Sequence, residues 1–148
     1  MFIKLQADQV FIFWDLIKHG LIQAYKIPRE YQQDFSINYL EKLLTGHTQA
    51  WLAYEEKDGE KKVIGILCTQ ILDEKNYGVR TLLIDTIYGF RLIPKDIIDE
   101  GMTALESYAK ANNCNVMAAE FSNKRVGEIL VDIGFETHRI ISRKVLTI

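Results

Sequence analysis

Residues 79–115 read VRTLLIDTIYGFRLIPKDIIDEGMTALESYAKANNCN, and the hydrophobic period changes once along them. Leu82, Leu83, Ile84 and Ile87 are nearly continuous, as in a strand covered on both faces. Past Pro94, the apolar residues Ile97, Ile98, Met102, Leu105, Tyr108 and Ala109 recur at helical spacing, and the pattern stops at Asn112-Asn113. A buried strand feeding a long helix is the first half of a β-α-β crossover. Val116 to Phe121 reads as the strand that completes it.

Toward the N-terminus the period is two. Val79 to Tyr88 is preceded by a longer apolar strand, Lys62 to Leu72, in which Gly65 marks a bulge or a close approach. Before it, Lys57-Asp58-Gly59-Glu60 supplies hairpin chemistry, and Ala50 to Glu55 supplies the first strand of the pair. Two helices open the chain. One starts at Asp8 and carries Val10, Phe13, Trp14, Ile17 and Leu21. The other starts near Pro28 and stops at Gly46. Toward the C-terminus, Lys124 to Ile133 is a short helix stopped by Gly134, and Phe135 to Leu146 is a closing strand or pair of strands. The expected order is α-α-β-β-β-α-β-α-β. That is an α/β (α+β) fold: residues 1–148 as one domain, a mixed central sheet and helices on both faces.

The chain has 148 residues, 48% hydrophobic and 26% charged, with a net charge of −2. This balance suits one globular domain and excludes a disordered or collagen-like chain. Bulk charge gives no reason to expect nucleic acid or an anionic membrane. No apolar run approaches the ~20 residues of a membrane span, and the start, with Lys4, Gln6 and Asp8, is not that of a secretory signal. Cys68 sits in an apolar run and reads as a small buried hydrophobe. It and Cys114 have no metal-ligand spacing, and two thiols without a leader point to a reducing compartment. His19, His47 and His138 are scattered and make no zinc site. Phe11, Phe13, Trp14 and Tyr25 are expected in the core, and their density also suits a partner groove.

Ala104 to Asn115, with Leu105, Tyr108, Ala109 and Cys114, resembles the end of the central helix of the GNAT (N-acetyltransferase) superfamily. Ser122-Asn123, a short helix and then Ile133-Gly134-Phe135-Glu136 resemble that superfamily's last helix and its Gly-Phe ending. The resemblance covers roughly residues 49–146 and implies a fold and a chemistry. A glycine-rich loop at the start of the central helix would hold the pyrophosphate of acetyl-CoA on backbone amides. The matching stretch here is Ile93-Pro94-Lys95-Asp96-Ile97-Ile98, where Asp96 and Ile98 stand in glycine positions. Pro94, Lys95, Asp96, Ile97, Ile98 and Asn123 are thus the expected cofactor contacts. Asp96, Asp99 and Glu100 are expected to repel the phosphates, with Arg80, Arg91 and Lys95 as an offset. The superfamily's proton-donating tyrosine corresponds to Leu130. Asp85, in an apolar strand, is the candidate base, with Glu120 a weaker one, and Tyr88 is the candidate acid.

The sequence also resembles short GNAT-like proteins encoded among bacteriophage structural genes, through Leu105 to Cys114, Gly134-Phe135 and Lys144-Val145-Leu146. The leading expectation is therefore a GNAT-like protein without acetyl-CoA catalysis. It would act as a binding or assembly component, phage-encoded and virion-associated, with no cofactor. Two alternatives stand beside it: an acetyl-CoA-dependent N-acetyltransferase acting on an amine, and an acyl-CoA binder without turnover. A protein partner is expected, without nucleic acid or membrane. A homo-oligomer or a place in a larger assembly fits, in the cytoplasm or in a virion. The cleft between the third and fourth of these strands discriminates: open and lined by amides it favours cofactor, plugged by Tyr88, Phe90 or Ile97 it favours a scaffold.

Overall fold

Three long strands joined by tight turns carry the sheet, and the turn residues explain the tightness. Asp58 and Gly59 both adopt positive φ, 54° and 79°, as a two-residue hairpin requires. They join β2 (Thr48–Lys57) to β3 (Glu60–Glu74), and a short 3₁₀ turn ending at Gly78 leads into β4 (Val79–Gly89). The computed structural model describes residues 1–137 together with Ser142, Lys144 and Leu146. The expected closing strand falls mostly outside the described residues, as does His138.

One strand was not foreseen. β1 (Phe2–Lys4) pairs antiparallel with β2, placing Phe2 opposite Ala53 and Lys4 opposite Trp51. Three residues are too few to show a period. What holds them is tertiary: the Phe2 ring stacks on Trp51 at 5.3 Å. The sheet order is β1-β2-β3-β4-β5, antiparallel except for the parallel pair of β4 with β5 (Val116–Ala119). The strand expected to reach Phe121 ends two residues earlier.

The expected first helix is two helices, α1 (Ala7–Ile12) and α2 (Trp14–Tyr25), broken at Phe13. The break leaves Phe11 and Ile12 exposed, so Phe11 is not a core residue, whereas Phe13, Trp14 and Tyr25 do pack on the core. Pro28 opens a 3₁₀ turn (Arg29–Tyr31) rather than the helix itself, and α3 (Gln32–Leu44) follows, closed by Gly46 at φ 77°. These helices cover one face of the sheet around Ile17, Leu21, Tyr39, Leu52, Ile66 and the fully buried Cys68. On the other face α4 (Lys95–Ala111) lays Leu105 and Ala109 against Trp51, Leu82 and Ile84. The last described helix is α5 (Lys124–Asp132). His47 is exposed, and Tyr108 is half-buried with its ring edge-on to Trp51.

Two irregularities shape the sheet. Ala53 faces Gly65 and Tyr54 faces Val63, which makes Ile64 an extra residue in β3. Gly65 beside it is also a close approach, since a Cβ there would stand 3.1 Å from Ile93 Cδ1. In β4, Cys68 faces Thr86 and Thr69 faces Ile84, so Asp85 is the unmatched residue. A bulge of this kind bends the strand and re-aims side chains.

Candidate active site

β4 and β5 run together only from Thr81/Val116 to Ile84/Ala119, and the last link between them is the Glu120 N–H donating to the Ile84 carbonyl at 2.9 Å. Beyond it Asp85–Gly89 continue with no parallel neighbour among the described residues. The bulge decides what this free edge offers. The Phe90 N–H donates to the Ile64 carbonyl, toward β3. By alternation the main-chain groups of Gly89 and Ile87 point the other way, into the gap that β5 has left.

A cavity of about 350 Å³ opens at that gap, between β4, the start of α4 and α5. Ile84, Ile87, Tyr88 and Gly89 form one wall, Ile97, Ile98 and Met102 a second, and Val126, Ile129 and Leu130 a third. The cleft is therefore open. Ile97 and Tyr88 line it without filling it, and Phe90 packs instead with His19 and Tyr88 on the opposite face.

The electrostatics of this cavity differ from the sequence expectation. Among the described residues its charged lining residues are Arg91 and Arg125, with no carboxylate. Asp99 is paired with Lys95 at 2.8 Å, and Glu100 accepts from the Phe2 N–H at 3.3 Å, tying α4 to β1. Asp99 and Glu100 are thus engaged elsewhere, whereas Asp96, the third carboxylate of the expected barrier, stands in the first turn of α4. Arg91 also meets Glu55. At the start of α4 the Pro94 carbonyl accepts the N–H groups of Ile97 and Ile98, both at 3.1 Å. The Lys95 and Asp96 amides have no intrahelical partner, and the positive end of the helix dipole adds to them. Of the six expected cofactor contacts, Ile97, Ile98 and Asn123 line the cavity, whereas Pro94, Lys95 and Asp96 do not. Asn123 caps α5 through its side chain, which accepts from the Arg125 N–H at 2.9 Å.

Asp85 lies on the other side of the strand, facing α2 and α3. The bulge turns Asp85 and Thr86 to the same face, where Asp85 is buried at 8% exposure. Its Oδ1 accepts from Tyr39 Oη at 2.9 Å and from Thr86 Oγ1 at 3.0 Å, and its Oδ2 accepts from Gln70 Nε2 at 3.1 Å. Burial raises its pKa above the usual carboxylate value, while the three donors pull it back. Burial also pushes Tyr25 up to about 12 and moves Tyr39 and Cys68 well above their ordinary ranges, so all three remain protonated at neutral pH. Tyr88 shares this face. Its ring meets His19 edge-on at 6.0 Å and packs against α2 near Gly20. No hydrogen bond joins Asp85 to Tyr88 among the described residues. Leu130, buried in the cavity wall, cannot donate a proton. Sequence reasoning missed Tyr39, Gln70 and Arg125. Tyr39 falls at helical spacing among apolar residues, and nothing local separates such a tyrosine from core.

The residues present fit a coenzyme A thioester: an apolar channel for its arm, a bare strand edge for its amides and carbonyl, and the Arg91 and Arg125 side chains for its phosphates.

No protein-family model matches this sequence, and no curated protein matches it either. Solved structures do. A predicted acetyltransferase from Clostridium acetobutylicum, solved with acetyl-CoA, aligns over 98% of this chain and 95% of its own, at a TM-score of 0.69 and 17% identity. A ribosomal-protein-alanine N-acetyltransferase from Brucella melitensis biovar Abortus aligns over 99% of both chains, at a TM-score of 0.69 and 19% identity. An aminoglycoside N-acetyltransferase in complex with CoA covers 98% of this chain and 93% of its own, at 0.68 and 17%. The fold thus matches these acetyltransferases along whole chains, and this chain has the GNAT acetyltransferase fold.

Proposed function

We propose that the protein is an N-acyltransferase that moves an acyl group, acetyl in the simplest case, from coenzyme A to an amine. The observation that carries this reading is the gap at the Asp85 bulge. On one face of the sheet it opens onto a cavity lined by Arg91 and Arg125, and on the other the same bulge carries a buried carboxylate. The structural neighbours that hold CoA or acetyl-CoA support the choice of donor.

Coenzyme A, when bound, supplies an acyl thioester whose carbonyl carbon an amine can attack. The main chain of Ile87 and Gly89 orients the arm, and the Ile97, Val126 and Ile129 walls exclude water from it. Arg125 and Arg91, which line the cavity, would hold the phosphates. Asp85 takes a proton from the acceptor amine, directly or across one water. As the C–N bond forms, the C–S bond breaks and the electron pair leaves on sulfur. A thiol has a pKa near ~8.5, so the departing thiolate is tolerable without a dedicated acid and is protonated from solvent. The leucine at position 130 therefore does not preclude turnover. The proton on Asp85 returns to water.

Titration calorimetry with acetyl-CoA, followed by amine-dependent release of free thiol across a panel of primary amines, tests the reading. Binding heat with thiol release supports it. Heat without release would identify a CoA binder without turnover. No heat at millimolar acetyl-CoA, with the protein folded, would return the chain to the binding or assembly role.

A further inference from the structure

We propose that Tyr39 is a positioning residue for acyl transfer: its phenol O–H, together with Thr86, saturates Oδ1 of Asp85, so that the amine proton is taken at Oδ2. This rests on the acyltransferase reading and names the atom that performs its proton transfer.

An ionised carboxylate offers about four lone-pair sites, two on each oxygen. Tyr39 Oη at 2.9 Å and Thr86 Oγ1 at 3.0 Å use both on Oδ1. Gln70 Nε2 at 3.1 Å uses one on Oδ2, which leaves one site there without a donor among the described residues. The donors come from three elements, α3, β4 and β3, so the carboxyl cannot rotate without breaking bonds to all three. Tyr39 is itself buried and braced by aromatic neighbours, Phe35 at 5.7 Å and Tyr25 at 6.5 Å between ring centroids. The titratable groups facing Asp85 are Tyr39 from α3, Tyr25 from α2, Cys68 from β3 and Glu120 just past β5. The first three are neutral at pH 7, which leaves Glu120 as the charged neighbour, repelling a second negative charge and favouring a protonated Asp85. Tyr39 and Thr86 work against that by donating to the ionised form.

The test is Tyr39→Phe, which keeps the ring packing and deletes one donor. The acid limb of the kcat/KM–pH profile is expected to move up by about one unit, with kcat reduced about tenfold and KM for acetyl-CoA unchanged. Thr86→Val is expected to shift the limb the same way. In an Asp85→Asn background, Tyr39→Phe is expected to add no further loss of kcat. An unmoved acid limb, or a full additional loss in that background, overturns the proposal. Direct titration of the Asp85 carboxyl by NMR in wild type and Tyr39→Phe separates the two ideas. If no amine releases thiol, acyl transfer fails and the base role with it, even where the carboxyl shifts upward. If thiol is released and the carboxyl does not shift, only the role of Tyr39 falls.

Discussion

Asp85 carries opposing demands, and their balance makes it measurable. Burial favours the neutral acid and three hydrogen bonds favour the anion, with burial the larger effect. A carboxyl whose pKa is raised by folding favours the folded state while protonated. That advantage is lost as pH climbs from the ordinary 3.8 through the raised value. In a urea-unfolding series, wild type is therefore expected to lose stability relative to Asp85→Asn across that interval. Parallel curves would show that the carboxyl titrates as in the unfolded chain. In catalysis the same substitution removes the base, and kcat is expected to fall by about 10²- to 10⁴-fold with the affinity for acetyl-CoA retained. Asp85 stood out in the sequence as a carboxylate in an apolar strand. Its partners Tyr39 and Gln70 did not, because they lie 46 and 15 residues away and meet it only through packing.

The contact between α2 and the sheet depends on a glycine. A Cβ at Gly20 would stand 2.4 Å from Ile66 Cδ1 and 2.8 Å from its Cγ1, in the closed core. Alanine is the better helix former by roughly 0.5–1 kcal/mol, but overpacking a core costs about 1–3 kcal/mol. Gly20→Ala is thus expected to destabilise the fold by roughly 1–2 kcal/mol, a drop of several degrees in Tm by calorimetry. A neutral or raised Tm would mean that α2 can lift off β3 at no cost. Most elements were legible in the sequence at this scale, because long strands and helices impose periods of two and 3.6. The exceptions are instructive. β1 exists because Phe2 finds Trp51, and the break at Phe13 interrupts an apolar spacing that reads as continuous. Neither is a local property. The same holds at the start of α4, where two of the three expected barrier carboxylates, Asp99 and Glu100, are taken up by Lys95 and β1.

At the scale of the molecule, the cavity is a joint product of β4, α4 and α5. Filling it from one wall should abolish its use while leaving the sheet intact. Val126→Trp is expected to weaken acetyl-CoA by about tenfold or more in calorimetry, without loss of helical circular dichroism. Arg125→Ala is expected to weaken acetyl-CoA roughly tenfold and to flatten the dependence of binding on salt, since a cationic contact to phosphate is lost. Unchanged affinity in both variants would move the thioester site elsewhere. No helix among the described residues is long and apolar enough to cross a membrane.

Periodicity, turn residues and two short stretches, Leu105 to Cys114 and Ile133 to Glu136, were enough to determine the order from β2 to α5 and the resemblance. These are properties of neighbours along the chain, fixed by main-chain geometry and by which face must be dry. Whether the cleft is open, which charges line it and what holds Asp85 were decided by the tertiary structure. A bulge, a strand that departs from its partner and an ion pair are set by contacts between residues far apart in sequence, and only the packed molecule brings those residues together.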